Sequence, residues 1–287
     1  MLKNNLGCYV SSAGGLYKII EKSKFLGIHT VMTHPSPPQK WNSKPFEDKV
    51  ADQFNTEKSK FEYDLNVFFH GIYLINLASL GKKNYHLSKL SILHHLRLLI
   101  QINGVGVVFH PGSFKDTVNE DEGFEQISKG INWIFENLDV EPKSENILLL
   151  ECSAGSGRVV GSKFEDLARI YVRIENKFKK YVGFCLDTQH MFASGYDIVN
   201  NLEDVLSKAD SCLDFKKINL IHLNDSKTEL GSNKDRHENL GNGLIGNIGL
   251  RNFVNHKLVR DKFIVMETPA LESLEGAKQE IEKLSCY

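Results

Sequence analysis

Six polar side chains stand where apolar runs end. His70 closes "LNVFFH", His110 "VGVVFH", Glu151 "NILLLE", Asp187 "VGFCLD" and Glu267 "KFIVME", while His222 is the penultimate residue of "INLIHL". Three more lie in adjoining segments: His190, three residues past Asp187, and Asp235 with His237 at i and i+2 in "DRH", on one side of an extended segment. The set comprises five imidazoles and four carboxylates. That donor mixture suits zinc, and also manganese or iron. Buried carboxylates without partners are costly, and a metal cation offsets the cost. Nine donors exceed what one tetrahedral ion takes and are about right for three ions with one carboxylate shared. Taken singly, a strand-end Asp reads as the N-cap of the next helix, a lone His as a packed or solvated residue, and "DRH" as a solvated loop. The repetition at six successive run ends is what points to a metal centre.

The elements that must hold these groups are legible around them. Each run is short, rich in Val, Ile, Leu and Phe, and without alternation, as in a parallel strand buried on both faces. The polar ends fall at 70, 110, 151, 187, 222 and 267, so each gap has room for a loop, a helix and a second loop. Helical spacing of apolar residues appears in 89–102, 123–138 and 163–178. Two further strands are predicted earlier, "LGCYV" (6–10) and "GIHTVMTH" (27–34). Eight strands with intervening helices predict a single (β/α)8 TIM barrel over 1–287, its active site at the C-terminal ends of the strands. The six groups would then share one mouth. No linker divides the chain: "THPSPPQKW" (33–41) reads as a loop after the second strand, and the Gly- and Asn-rich 231–249 as a long functional loop after the seventh. Of the other histidines, His94 and His95 fall on a predicted helix, His86 and His256 in polar surroundings, His29 on strand two and His34 at its end.

Bulk properties exclude little. The 287 residues are 41% hydrophobic and 25% charged, with net charge −1 and a pI near 6.8. There is no basic excess of the kind that flags a nucleic-acid binder, although bound metal ions would change the local field without appearing in a residue count. No apolar stretch approaches membrane-spanning length. The segment "MLKNNLGCYVSSAGG" lacks a signal-peptide core, so the protein is expected inside the cell, in the cytoplasm or, in a eukaryote, the nucleus. The cysteines at 8, 152, 185, 212 and 286 form no CxxC pair and read as reduced thiols.

The sequence resembles the endonuclease IV family of apurinic/apyrimidinic (AP) endonucleases along nearly its whole length. The motifs are "GCYVSSAGGL" (7–16), "HGIYLINL" (70–77), "FHPGS" (109–113), "LLECSAGSG" (149–157), "LDTQHMFASGYD" (186–197), "HLNDSKTELGSNKDRHENLGNGLIG" (222–246) and "METP" (266–269). The resemblance implies three zinc ions per chain, with manganese or iron as a further fit at one site. It assigns His70, His110 and Glu151 to the first ion and makes Glu151 the bridge to a second, which Asp187, His222 and Glu267 complete. His190, Asp235 and His237 fall to the third. Glu151 and Glu267 are the implied catalytic carboxylates. The implied substrate is double-stranded DNA carrying abasic sites or blocked 3′ ends, cut by a monomer. Tyr73 and Leu74 match the family's loop-three pair that pries the duplex open. Gln39 and Lys40 stand where its second loop carries Arg. Lys227, Lys234 and Arg236 are further candidates for phosphate contacts. Two other departures are Tyr9, where the family usually has His, and Gln189, where Cys is common. The rival reading is a metal-dependent sugar isomerase or epimerase of the xylose-isomerase-like barrel type, which has no use for a third ion. A non-catalytic binder of damaged DNA would tolerate lost ligands, and none is missing.

Overall fold

The computed structural model describes residues 5–60, 64–115, 119–142, 145 and 147–287. Asn146, which opens the run "NILLLE", and residues 1–4 of the N-terminal segment lie outside them. The chain alternates strand and helix. Its first half runs β1 (Leu6–Tyr9), α1 (Lys18–Leu26), β2 (Thr30–Thr33), α2 (Asp48–Lys58), β3 (Asn66–His70), α3 (Lys82–Gln101), β4 (Gly106–Phe109) and α4 (Glu120–Glu136). The second half runs β5 (Leu148–Glu151), α5 (Phe164–Val172), α6 (Asn176–Lys179), β6 (Val182–Asp187), α7 (Thr188–Ala193), α8 (Leu202–Leu213), β7 (Ile218–His222), the short antiparallel pair β8 (Asp225–Ser226) and β9 (His237–Glu238), α9 (Gly246–Asn255), β10 (Phe263–Met266) and α10 (Leu274–Ser285).

Eight of the strands close into a barrel in the order β1-β10-β7-β6-β5-β4-β3-β2, every pairing parallel. The predicted TIM barrel is the observed one. His110 and Glu267 stand one residue beyond β4 and β10, and the other four strand-end groups lie within their strands. The expected helix 163–178 is broken into α5 and α6: the Arg173 and Ile174 amides close the end of α5 on Ile170 and Tyr171, and the Glu175 amide donates to Asn132 Oδ1 (3.1 Å). The expected loop 231–249 is also shorter than read, since β9 and the first turn of α9 fall within it. Helix starts follow local chemistry. Asn119 caps α4 by accepting from the Asp121 amide, with Glu120, Asp121 and Glu122 in its first turn, and Ser273 caps α10.

Alternation along the strands explains the site. Successive strand residues face opposite sides of a sheet, so positions i and i+2 share the barrel interior. An interior plug is formed by Met32, Phe68, Val108, Leu149, Cys185, Leu220 and Val265, all completely buried. Two residues beyond these come His34, His70, His110, Glu151, Asp187, His222 and Glu267. The candidate ligands are therefore the next interior layer, resting on an apolar floor. The intervening residues, such as Phe69, Phe109, Leu150, Leu186 and Ile221, face outward into the larger core between sheet and helices.

Candidate metal centre

All nine candidate ligands meet in one network of imidazole–carboxylate contacts no longer than 4.0 Å. Glu151, fully buried, is its hub. Its Oε2 faces His70 Nε2 at 3.2 Å and His110 Nε2 at 3.4 Å, and its Oε1 faces His222 Nδ1 at 2.9 Å and His190 Nδ1 at 3.5 Å. Glu267 Oε2 is 3.0 Å from His222 Nδ1. Asp187 Oδ2 lies 3.9 Å from His222 Nδ1 and 3.8 Å from His237 Nε2. Asp235 is held between His190 Nε2 (3.4 Å) and His237 Nε2 (3.3 Å).

The donor atoms cluster as His70, Glu151, His222 and Glu267; as His110, Glu151 and His190; and as Asp187, His190 and His237. This grouping differs in detail from the implied one: His222 Nδ1 bonds Glu151 at 2.9 Å, and His190, whose Nδ1 is bonded to the Cys152 carbonyl, lies 3.5 Å from the same carboxylate. Three imidazoles have their inner nitrogen fixed by a backbone carbonyl. His70 Nδ1 is 2.8 Å from Gly71 O, His190 Nδ1 3.0 Å from Cys152 O and His237 Nδ1 3.2 Å from Glu267 O. With Nδ1–H directed at a carbonyl, loss of the second proton would leave the Nε2 lone pair free for a metal on the carboxylate side. His222 is turned the other way, its Nδ1 toward Glu151 and Glu267. The residues present thus fit divalent cations of the zinc type in donor chemistry and in orientation.

Burial opposes charge on Glu151, yet the His110 and His222 imidazoles and hydrogen bonds from His222 and His70 hold its carboxyl well below the usual range. Glu267, crowded in the same way, is held at about 2, chiefly by His222. Burial likewise opposes the imidazolium of His190, but Asp187 and the bonds to Asp235 and Cys152 raise its pKa well above the ordinary value. Against the same burial, the Cys185 sulfur and the Glu267 and Glu151 carboxylates raise that of His222. Burial lowers the pKa of His110. The carboxylates are therefore balanced by protons on neighbouring imidazoles, and a divalent cation would displace those protons.

Residues that carry no ligand atom hold the layer in shape. Asn224 donates from Nδ2 to Asp187 Oδ2 (2.7 Å) and accepts the Glu267 backbone amide at Oδ1 (2.8 Å), so one side chain ties the Asp187 carboxylate to the backbone at Glu267. Thr188 Oγ1 donates to the Asn224 carbonyl (2.6 Å) and accepts its amide (2.8 Å). Sequence reasoning missed both, although "HLND" places Asn224 two residues past a ligand. His34 occupies the β2 position of the ligand layer. Its Nδ1 meets His70 O at 3.1 Å, and its ring packs on those of His70 and Tyr73.

Tyr73 and Leu74 project from the turn after β3, 66% and 39% exposed. The Tyr73 amide donates to Pro38 O (3.0 Å), which joins this turn to the loop bearing the exposed Gln39 and Lys40. Lys227, Lys234 and Arg236 are exposed on the segment around Asp235. Lys227 Nζ is 3.8 Å from Glu238 Oε2, and Arg236 Nη1 donates to the Asp235 carbonyl (2.6 Å).

Fold and site together define a xylose isomerase-like TIM barrel, and the model of that family matches residues 20–285. The probable endonuclease 4 of Clostridium botulinum (strain Alaska E43 / Type E3) is 36% identical over 98% of this chain and 97% of that protein. Apurinic-apyrimidinic endonuclease 1 of Plasmodium berghei (strain Anka) is 36% identical over 97% of this chain and 54% of that protein. Among solved structures, endonuclease IV from Thermus thermophilus superposes with a TM-score of 0.84 at 26% identity, covering 98% of this chain and 97% of that one. Within the xylose isomerase-like barrels, this chain belongs to the endonuclease IV family.

Proposed function

We propose that this protein is a zinc-dependent AP endonuclease. It hydrolyses the phosphodiester 5′ to an abasic site in double-stranded DNA, leaving a 3′-hydroxyl and a 5′-deoxyribose phosphate, and it trims blocked 3′ ends. The observation that carries the reading is the ligand layer, six strand-end groups in one contact network with His190, Asp235 and His237 at its edge. In this reading His70, His110 and Glu151 hold one ion. Glu151, Asp187, His222 and Glu267 hold a second, and His190, Asp235 and His237 a third, with manganese or iron a further fit at one site. Bound zinc would lower the pKa of water toward neutrality and offset the charge of the phosphate.

The protein's own contribution is placement. Four ligand carboxylates cannot balance three divalent cations, so the loaded mouth attracts a phosphodiester even though the chain as a whole is near neutral. Glu151 and Glu267 fix the spacing of the reacting centre, and Asn224 ties the Asp187 carboxylate to the backbone at Glu267. An abasic nucleotide has lost its stacking, so extruding it costs little. Tyr73 and Leu74 are exposed to fill the space it leaves, and Gln39, Lys40, Lys227, Lys234 and Arg236 are available to the backbone. The enzyme is read as a monomer working inside the cell. Among the described residues no helix is long and apolar enough to cross a membrane.

The sugar isomerase reading is disfavoured by the His190–Asp235–His237 trio, for which a one- or two-ion barrel has no use. Incision of a duplex carrying one tetrahydrofuran abasic analogue tests the proposal, with metal content measured on the same sample. The expected result is a 3′-hydroxyl product, three ions per chain and no need for added magnesium. No incision by the loaded chain, or a strict magnesium requirement, overturns it.

A further inference from the structure

The trio of His190, Asp235 and His237 is assembled from two separate pieces of chain. His190 belongs to α7, which grows directly out of β6. Asp235 and His237 belong to the segment between β8 and the end of β9, which crosses over α7 as a strap. Asp235 is 54% exposed, and its side-chain contacts are the imidazoles of His190 and His237. Apolar packing does not fix it. Its position is set by whatever holds the strap backbone.

Besides the His190–Asp235 contact, three hydrogen bonds among the described residues tie α7 to the strap. The Gly231 amide donates to Phe192 O (3.0 Å) and the Asn233 amide to Ala193 O (2.8 Å). The third tie is a side chain. Gln189, completely buried, donates from Nε2 to Lys234 O (2.9 Å) and reaches Ser226 Oγ (3.4 Å). Gln189 is the chain neighbour of His190, and Lys234 is the chain neighbour of Asp235. One hydrogen bond therefore spans the residues adjoining two of the three ligands. The amide is held from its donor side, since Oε1 is buried without a hydrogen-bond partner.

We propose that Gln189 is a positioning residue that latches the strap onto α7 and so sets the metal affinity of the His190–Asp235–His237 group; this rests on the metal-centre reading above. Buried groups that orient ligands typically change metal affinity by about tenfold to a hundredfold when removed. Gln189→Leu keeps nearly the same volume and removes the donor. Lys234 O is not stranded by this change, because Thr228 Oγ1 also donates to it (3.2 Å), so the variant should fold. Gln189→Glu keeps the shape and turns an acceptor toward a carbonyl.

The experiment titrates the metal-loaded chain and both variants with a graded chelator and counts ions per chain. Hydrogen–deuterium exchange across 229–236 is followed on the loaded chain and after chelation. The expected result is that Gln189→Leu releases one ion at about tenfold to a hundredfold lower chelator strength while holding the others like the parent. Its strap amides should exchange faster, and Gln189→Glu should be worse on both counts. Release and exchange equal to the parent's would overturn the latch. So would uniform loss of all ions with a lower melting temperature of the metal-free chain, which marks general packing. A parent that holds no ion at this group would instead refute the metal-centre reading, and the exchange measurement would still decide whether Gln189 holds the strap.

Discussion

Replacing Glu151 by Gln keeps the side-chain volume and removes one negative charge from the hub of the site. The carboxylate receives four imidazole nitrogens at 2.9 to 3.5 Å, two on each oxygen. An amide offers one acceptor and turns N–H donors toward the remaining pair. Removing one partner of a buried ion pair ordinarily costs about 3–5 kcal/mol. Here His190 and His222 can give up their protons rather than remain as unpaired buried charges, so the metal-free chain should lose only about 1–2 kcal/mol. The reaction should suffer more. A single preorganised charge-stabilising group is worth about 3 kcal/mol in the transition state. Glu151 is shared by two proposed metal groups, which puts about 6 kcal/mol at stake, roughly four orders of magnitude in rate. The assay is single-turnover incision of an abasic-analogue duplex, with metal content and the metal-free melting curve taken from the same preparation. Incision within about tenfold of the parent at full metal load would remove Glu151 from the shared position.

Tyr73→Ala should reduce binding and incision of an intact abasic duplex by about tenfold, since a wedge offsets an unstacking cost of a few kcal/mol. Metal content and melting temperature should be unchanged, because the residue is 66% exposed; an equal loss on a nicked substrate with a frayed 3′ end would mark Tyr73 as ordinary packing. Leu149→Ala opens a cavity in the interior plug and should cost about 3 kcal/mol, read as a lower denaturant midpoint. The raised pKa values of His190 and His222 mean that their ionic contribution to the metal-free chain is present below the ordinary histidine range and is lost as pH rises through those raised values. Metal must displace these same protons, so affinity should climb with pH and loading should release protons to an indicator dye; pH-independent affinity would contradict the assigned charge states.

The strand ends were readable because a strand buried on both faces has no reason to finish in His, Glu or Asp, and six did. The period of two then fixed which way they point, as Leu149 below Glu151 and Leu220 below His222 show. The carbonyls of Gly71, Cys152 and Glu267 that orient three imidazoles left no trace, because a backbone acceptor has no residue type. The partners of Asn224 and Gln189 were equally hidden: they lie 37 and 45 residues away in the chain, and only the folded geometry makes them neighbours, although Gln189 itself stood out as a departure where Cys is common. The break between α5 and α6 has no local sequence signal either, since the Asn132 side chain that takes up the Glu175 amide there is on α4.

The apolar plug beneath the ligands has a kinetic meaning. Among the described residues it closes the barrel interior below the candidate ligands, so ions and phosphates would enter by the mouth. A duplex lying across that doorway acts as a cork. Ions should leak to a chelator slowly from the free protein and more slowly still while DNA is bound. The lifetime of the metal load then reports how long the substrate stays. A protein diluted into chelator would keep its activity in proportion to the damage it is holding.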